Sequence, residues 1–167
     1  MCIDNAVATL YPNADAETQK QIVSSYSQAY SSKRLSQDDF FPGVYEMLVC
    51  LKQSGYQLAV ATGKTRAGLN QALQATKTET IFDITRCADE TASKPNPLML
   101  HEILRHTGSA SDRTLMVGDS IHDMQMAQNA NIASIGVACG ANNKESLLKY
   151  NPLHCLQQPT ELLNYFS

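Results

Sequence analysis

Asp119 and Asp123, in the stretch Val117-Gly118-Asp119-Ser120-Ile121-His122-Asp123, place two carboxylates four residues apart just beyond a short apolar run. A hard cation such as Mg²⁺ is held by one or two carboxylates together with water and phosphate oxygens, so this pair could hold one. Asp119 is the better ligand. Asp123 could reach the same ion or could complement the dipole of a helix start. His122, between them, reads as an exposed turn residue, because a hard cation prefers oxygen ligands. Two further segments offer matching chemistry. Thr62-Gly63-Lys64 presents a hydroxyl and free backbone N–H groups that suit a phosphate oxygen, and Lys94 in Ser93-Lys94-Pro95 could neutralise the same anion. Singly, Thr62 reads as a strand-end hydroxyl satisfied by backbone and Lys94 as a solvated surface lysine. Together with the carboxylates they are the parts that phosphoryl transfer requires.

These residues need strand ends to hold them. Leu115-Met116-Val117 predicts a strand that stops at Gly118, followed by a helix over about 122–130. Tyr56 to Thr62 predicts another strand, its Leu58-Ala59-Val60-Ala61 run suited to burial on both faces, followed by a helix from about Thr65 to Ala75. Ile81-Phe82-Asp83-Ile84, Ile132 to Val137 and Leu153 to Leu156 read as further strands. Val44, Met47, Leu48 and Leu51 mark a helix before the first strand, and Leu100, Ile103 and Leu104 share the face of another. Lys144 to Lys149 and Pro159 to Tyr165 read as short helices, and Ala16 to about Ser32 as a longer polar one. Strands alternating with helices of this length predict an α/β fold with a parallel sheet and right-handed crossovers. In such sheets ligands lie outside the carboxyl ends of the strands, where Thr62 and Asp119 fall.

Composition narrows the partners. A chain of 167 residues with 43% hydrophobic and 17% charged residues supports one sizeable core. The net charge of −3, with Lys33-Arg34 the only adjacent basic pair, argues against a nucleic-acid partner. No apolar run is long enough to span a membrane and no signal-peptide pattern opens the chain, so a cytoplasmic location is expected. The five cysteines, at 2, 50, 87, 139 and 155, never form Cys-x-x-Cys and read as reduced thiols, with Cys50 and Cys87 as small packing residues. His101 and His106 stand five apart, which is not a common-face spacing, and read as unrelated surface residues.

Three segments in order, Val60-Ala61-Thr62-Gly63-Lys64, Ser93-Lys94-Pro95-Asn96-Pro97, and Val117-Gly118-Asp119-Ser120 with Asp123, make the chain resemble the haloacid dehalogenase superfamily. Within it the likeness is to the phosphoglycolate-phosphatase-like branch with a helical cap, and Phe41-Pro42-Gly43-Val44 resembles that branch's return from cap to core. The resemblance implies a Rossmann-like, three-layer α/β core over residues 39–167 and a partial helical cap over residues 1–38. It implies Mg²⁺ as cofactor, Asp119 and Asp123 at the metal, Thr62 and Gly63 at the phosphoryl group, and Lys94 steadying that group and the nucleophile. The implied partner is a small phosphorylated metabolite.

One departure is large. The family's first motif, a strand ending in Asp-x-Asp-Gly-Thr, supplies the nucleophile, yet no two of the aspartates at 4, 15, 38, 39, 83, 89, 112, 119 and 123 are separated by a single residue. The expectation is therefore an N-terminally truncated member whose full-length form hydrolyses a small phosphomonoester, with negligible hydrolysis by this chain alone. A non-catalytic phosphate- or metal-binding or interaction module is the first alternative, and a phosphomutase the second. Loss of about five buried strand side chains, at about 1.5–3 kcal/mol each, is comparable to a domain's whole net stability of about 5–15 kcal/mol. The chain is therefore expected either to fold poorly or to repair the gap, by strand exchange in a homodimer, by a rearranged N-terminal segment, or by closure of the flanking strands onto each other.

Overall fold

The computed structural model describes residues 3–32 and 36–166; Cys2 and the Lys33-Arg34 pair lie outside them. Helices α1 (Ile3–Leu10) and α2 (Ala16–Ser32) pack against each other at the start of the chain. Helix α3 (Val44–Gln53) then buries Met47 and Leu51 on the face that the spacing predicts. From there helices and strands alternate: β1 (Ala59–Thr62), α4 (Arg66–Thr76), β2 (Ile84–Cys87), α5 (Leu98–Thr107), β3 (Leu115–Gly118), α6 (Ile121–Asn129), β4 (Ala133–Val137), α7 (Lys144–Leu148) and β5 (His154–Leu156). A 3₁₀ helix, Pro159–Tyr165, follows the last strand. Every strand pairing is parallel, as the alternation of elements predicts.

The second strand lies three residues later than the sequence suggests. Ile81 is instead buried in a turn closed by its own N–H donating to the Thr78 carbonyl. Asp83 then fixes the register of Ala59 with Ile84: its N–H donates to the Leu58 carbonyl at 2.8 Å, and its Oδ2 accepts from the Leu58 N–H at 2.8 Å. Lys52 of α3 donates to Asp83 Oδ1 at 2.5 Å, which ties the helix to this corner. That lysine and the Leu58 amide hold the Asp83 carboxyl below the usual carboxylate range. Asp83→Ala is accordingly expected to cost about 1–2 kcal/mol at neutral pH, read from urea unfolding. Because the folded-state value is depressed, this stabilisation is complete above the unfolded carboxylate value of about 3.9 and is lost as pH falls through the folded one. The gap between wild type and variant should therefore narrow in acid.

The strands form two sheets, β1-β2 and β3-β4-β5, rather than one. Helices on both faces bridge them. One core cluster joins Ile84 to Met99, Leu100, Ile103, Met126 and Ala130, with Ala61 of β1 and Met116 of β3 packed against it. The other joins Met47 and Leu51 to Ile135, Leu156 and Leu162, and takes in Leu58 and Leu115. Neighbouring residues of β3 thus enter opposite clusters, as strand alternation requires.

The sheet edges between these layers differ sharply. The Leu58 carbonyl points to β2, so alternation along a parallel strand turns the backbone groups of Ala59 and Ala61 the other way. Among the described residues no third strand pairs with β1 there, or with β3 on its corresponding side. As a result β1 is not buried on both faces as its apolar run suggests: Ala59 is exposed and Val60 to Thr62 are half-buried. Val117 of β3 is likewise 37% exposed. Closure of β1 onto β3 does not occur, and residues 3–10 are helical rather than extended. The outer edge of β2, by contrast, is blocked. The Thr85 carbonyl accepts from Arg66 Nη2 at 3.1 Å and Arg86 Nη1 at 3.0 Å, and the Cys87 N–H donates to Glu90 Oε2 at 3.2 Å.

Two smaller expectations need correction. Cys50 is exposed, since it lies off the Val44-Met47-Leu48-Leu51 face of α3, while Cys87 is buried and burial pushes its thiol up. His122 is a half-buried residue of the first turn of α6 rather than an exposed turn residue. Among the described residues no helix is long and apolar enough to cross a membrane.

Candidate active site

Strand β3 carries the chain to Asp119, and the next residue starts α6. Ser120 is the N-cap: its Oγ accepts from the Asp123 N–H at 3.2 Å, and Asp123 Oδ2 accepts from the Ser120 N–H at 3.1 Å. The Ser120 hydroxyl also donates to Asp123 Oδ2, at 2.7 Å. This reciprocal cap satisfies two of the amides that the start of a helix leaves without partners. Its consequence reaches beyond the helix, because it aims the other oxygen of Asp123 at Lys94. Lys94 Nζ donates to Asp123 Oδ1 at 2.5 Å, with the two side chains only 12% and 6% exposed.

Lys94 comes from the loop between β2 and α5. That loop is anchored to the far end of α6, where Asn129 Nδ2 donates to the Pro95 carbonyl at 2.9 Å. Helix α6 therefore holds the lysine loop at one end and receives its ammonium at the other. Burial pushes the His122 imidazole below its ordinary value; Lys94 acts in the same direction and Asp123 opposes it. The imidazole is thereby biased toward the neutral form beside the ion pair.

Asp119 has a separate support. Its Oδ2 accepts from the Ala141 N–H at 2.9 Å and its carbonyl accepts from the Asn142 N–H at 3.0 Å. Thr62 stands at the end of β1, where its Oγ1 accepts from the Lys64 N–H at 3.2 Å and closes the turn through Gly63. Direct bonding thus unites Lys94 with Asp123, whereas Thr62 and Asp119 stand at the carboxyl ends of different sheets, each tied to its own loop.

The two carboxylates have different surroundings. Both Asp123 oxygens already accept, from Lys94 and from Ser120. Asp119 Oδ1 receives no donor among the described residues, and these contain no group of three or more His, Cys, Asp or Glu able to cage a metal. One available carboxylate at a strand end fits Mg²⁺, which keeps several waters and completes its shell with substrate phosphate. It does not fit Zn²⁺, which takes three or four protein ligands.

Residues 2–137 match the family model described as haloacid dehalogenase-like hydrolase. The chain belongs to this family. Among relatives, it is 41% identical over 113 residues to "Probable phosphatase IndB" of Dickeya dadantii, covering 67% of this chain and 49% of that protein. It is 31% identical over 139 residues to a phosphoglycolate phosphatase of Colwellia psychrerythraea, covering 83% of this chain and 60% of that enzyme. The chain thus spans 49% and 60% of these two relatives. A solved haloacid dehalogenase-like hydrolase from Bacteroides fragilis superposes with a TM-score of 0.86 over 96% of this chain and 77% of that one, at 20% identity. That likeness establishes the fold: a Rossmann-like α/β core with parallel strands.

In this member of the family, three supports lay outside the sequence reading: the cap role of Ser120, the Asn129 anchor, and the loop through Ala141 and Asn142. The last had a signal in Gly140-Ala141-Asn142-Asn143, a glycine- and asparagine-rich turn at the carboxyl end of another strand.

Proposed function

We propose that this chain carries the phosphate- and cation-holding part of a Mg²⁺-dependent phosphatase site for a small phosphomonoester, similar to phosphoglycolate. The observation that supports this reading most is the buried Lys94–Asp123 pair, its aspartate four residues after a carboxylate with an open oxygen at the carboxyl end of β3. Asp119 would hold the cation, with Asp123 supporting that site through Lys94. A bound Mg²⁺ would neutralise phosphate charge and orient the phosphoryl group. Thr62 and the amide at Gly63 would bind the phosphoryl oxygens, and Lys94 would add its ammonium to the same anion. Residues 1–38 would contribute part of a helical cap. Neither carboxylate would then serve as the nucleophile, because Asp119 would be taken up by the cation and Asp123 is committed to Lys94 and Ser120.

The test supplies what the site lacks. The 167-residue chain, assayed with Mg²⁺ against 2-phosphoglycolate and p-nitrophenyl phosphate, should release almost no phosphate. The same chain preceded by an apolar strand ending in Asp-x-Asp-Gly-Thr should gain activity by several orders of magnitude. No gain over the short chain, with fold retained, would refute the reading.

Among the described residues β1 and β3 each leave one edge unpaired, which favours a second reading, a non-catalytic phosphate- or metal-binding module that pairs with another strand, including by exchange in a homodimer. Calorimetric binding of Mg²⁺ and a phosphate mimic without turnover in either form, together with a dimer by light scattering, would favour it.

A further inference from the structure

The loop after β4 approaches Asp119 more closely than any side chain would allow. A Cβ on Gly140 would fall 1.9 Å from Asp119 Oδ2 and 2.5 Å from its Cβ, so only glycine leaves the carboxylate where it is. With that approach the Ala141 N–H reaches Oδ2 at 2.9 Å, which sets the rotation of the carboxylate and leaves Oδ1 to face other ligands. Asn142 then holds the backbone on both sides. Its N–H donates to the Asp119 carbonyl at 3.0 Å, and its Oδ1 accepts from the Ile121 N–H at 3.0 Å. One residue thus clamps the turn from β3 into α6.

Asn142 is the N-cap of neither adjoining helix, although it accepts from the first amide of α6. Helix α6 has its reciprocal cap in Ser120 and Asp123, and α7 is capped by Asn143, whose Oδ1 accepts from the Ser146 N–H at 3.0 Å. The Asn142 side chain instead bonds across 21 residues of sequence to the stretch that carries Asp119.

We infer that Gly140, Ala141 and Asn142 form a positioning device for the Asp119 carboxylate, with Asn142 its decisive side chain, and that cation affinity depends on it. The inference rests on the reading of Asp119 as the cation's carboxylate. Groups that orient a metal ligand from outside the coordination shell are commonly worth about 10–100-fold in affinity. Asn142 fits that role because it fixes the ligand's backbone while Ala141 fixes its oxygen.

The experiment is calorimetric titration of the folded 167-residue chain with Mg²⁺ alone, which needs no substrate and no turnover. Melting followed by circular dichroism sets a temperature at which every variant is folded. Asn142→Ala should weaken Mg²⁺ binding by about tenfold or more. Asn142→Asp, which keeps an acceptor for Ile121, should restore affinity to within about threefold of wild type or better. Gly140→Ala, which keeps Asn142 but displaces the carboxylate, should reproduce the loss independently, and Asp119→Asn should abolish binding.

The outcomes separate the two readings. Asp119-dependent binding that Asn142→Ala and Gly140→Ala leave unchanged overturns the positioning role and spares the cation site. Equal weakening by Asn142→Ala and Asn142→Asp also overturns it, since the acceptor would then not matter. Binding absent from wild type, or untouched by Asp119→Asn, overturns both.

Discussion

Lys94→Ala is expected to destabilise the fold by about 3–5 kcal/mol, since it leaves the Asp123 carboxylate buried without its counter-ion. Against a typical net stability of about 5–15 kcal/mol this is a severe loss, visible as a large fall in the urea midpoint. The cost is of a particular kind. A buried pair adds little over an apolar replacement of both partners, but its half-removal strands a charge away from water. Asp123 cannot turn outward to recover solvent, because Ser120 holds its second oxygen and its residue is 4% exposed. The double variant Lys94→Ala/Asp123→Asn, whose neutral amide still presents an oxygen to the Ser120 N–H, should therefore be more stable than Lys94→Ala alone. If the double variant is no more stable, the penalty comes from lost packing of the lysine stem, and the account of a stranded charge is wrong.

That coupling shows which parts of the site the sequence could carry. The placement of Asp119 and Thr62 at strand ends was legible, because each follows a short apolar run that adjoins a glycine, and such runs have one local solution in an alternating α/β chain. The bond between Lys94 and Asp123 was not, since 29 residues separate them and their meeting is a tertiary contact, supported by the anchoring of the lysine loop to α6 through Asn129 and Pro95. The same limit explains the second strand. Ile81-Phe82-Asp83-Ile84 has strand composition, but pairing starts at Ile84 because Asp83 is engaged at the start of β1. Five parallel strands were readable from periodicity; their division into two sheets was not, because whether β1 and β3 pair is a tertiary property. The half-exposed residues of β1 and the exposed Val117 record that division in the burial of strands whose composition suits a sheet interior.

Gly118→Ala should be nearly as damaging as Lys94→Ala, through sterics rather than charge. A Cβ at 118 would lie 2.4 Å from Asp123 Cβ, 2.7 Å from its Cγ and 2.8 Å from its Oδ2. The first of these atoms belongs to the root of a helical side chain, not to a flexible tip, so relief requires α6 or β3 to shift. Met124 and Met126 of α6 are fully buried, so such a shift disturbs the core on which both sheets rest. Overpacking of this kind costs about 1–3 kcal/mol, and displacement of Asp123 from Lys94 and Ser120 adds to it. The two predictions are therefore linked. If the new methyl group moves Asp123, part of the ion pair is already lost in Gly118→Ala, and adding Lys94→Ala should cost less than it does in wild type. A double-mutant cycle read by urea unfolding should show a coupling energy of about 1 kcal/mol or more. Additivity within about 0.5 kcal/mol would mean that the alanine is accommodated without moving Asp123, and that the glycine at 118 is not what allows the strand end to lie against its buried carboxylate.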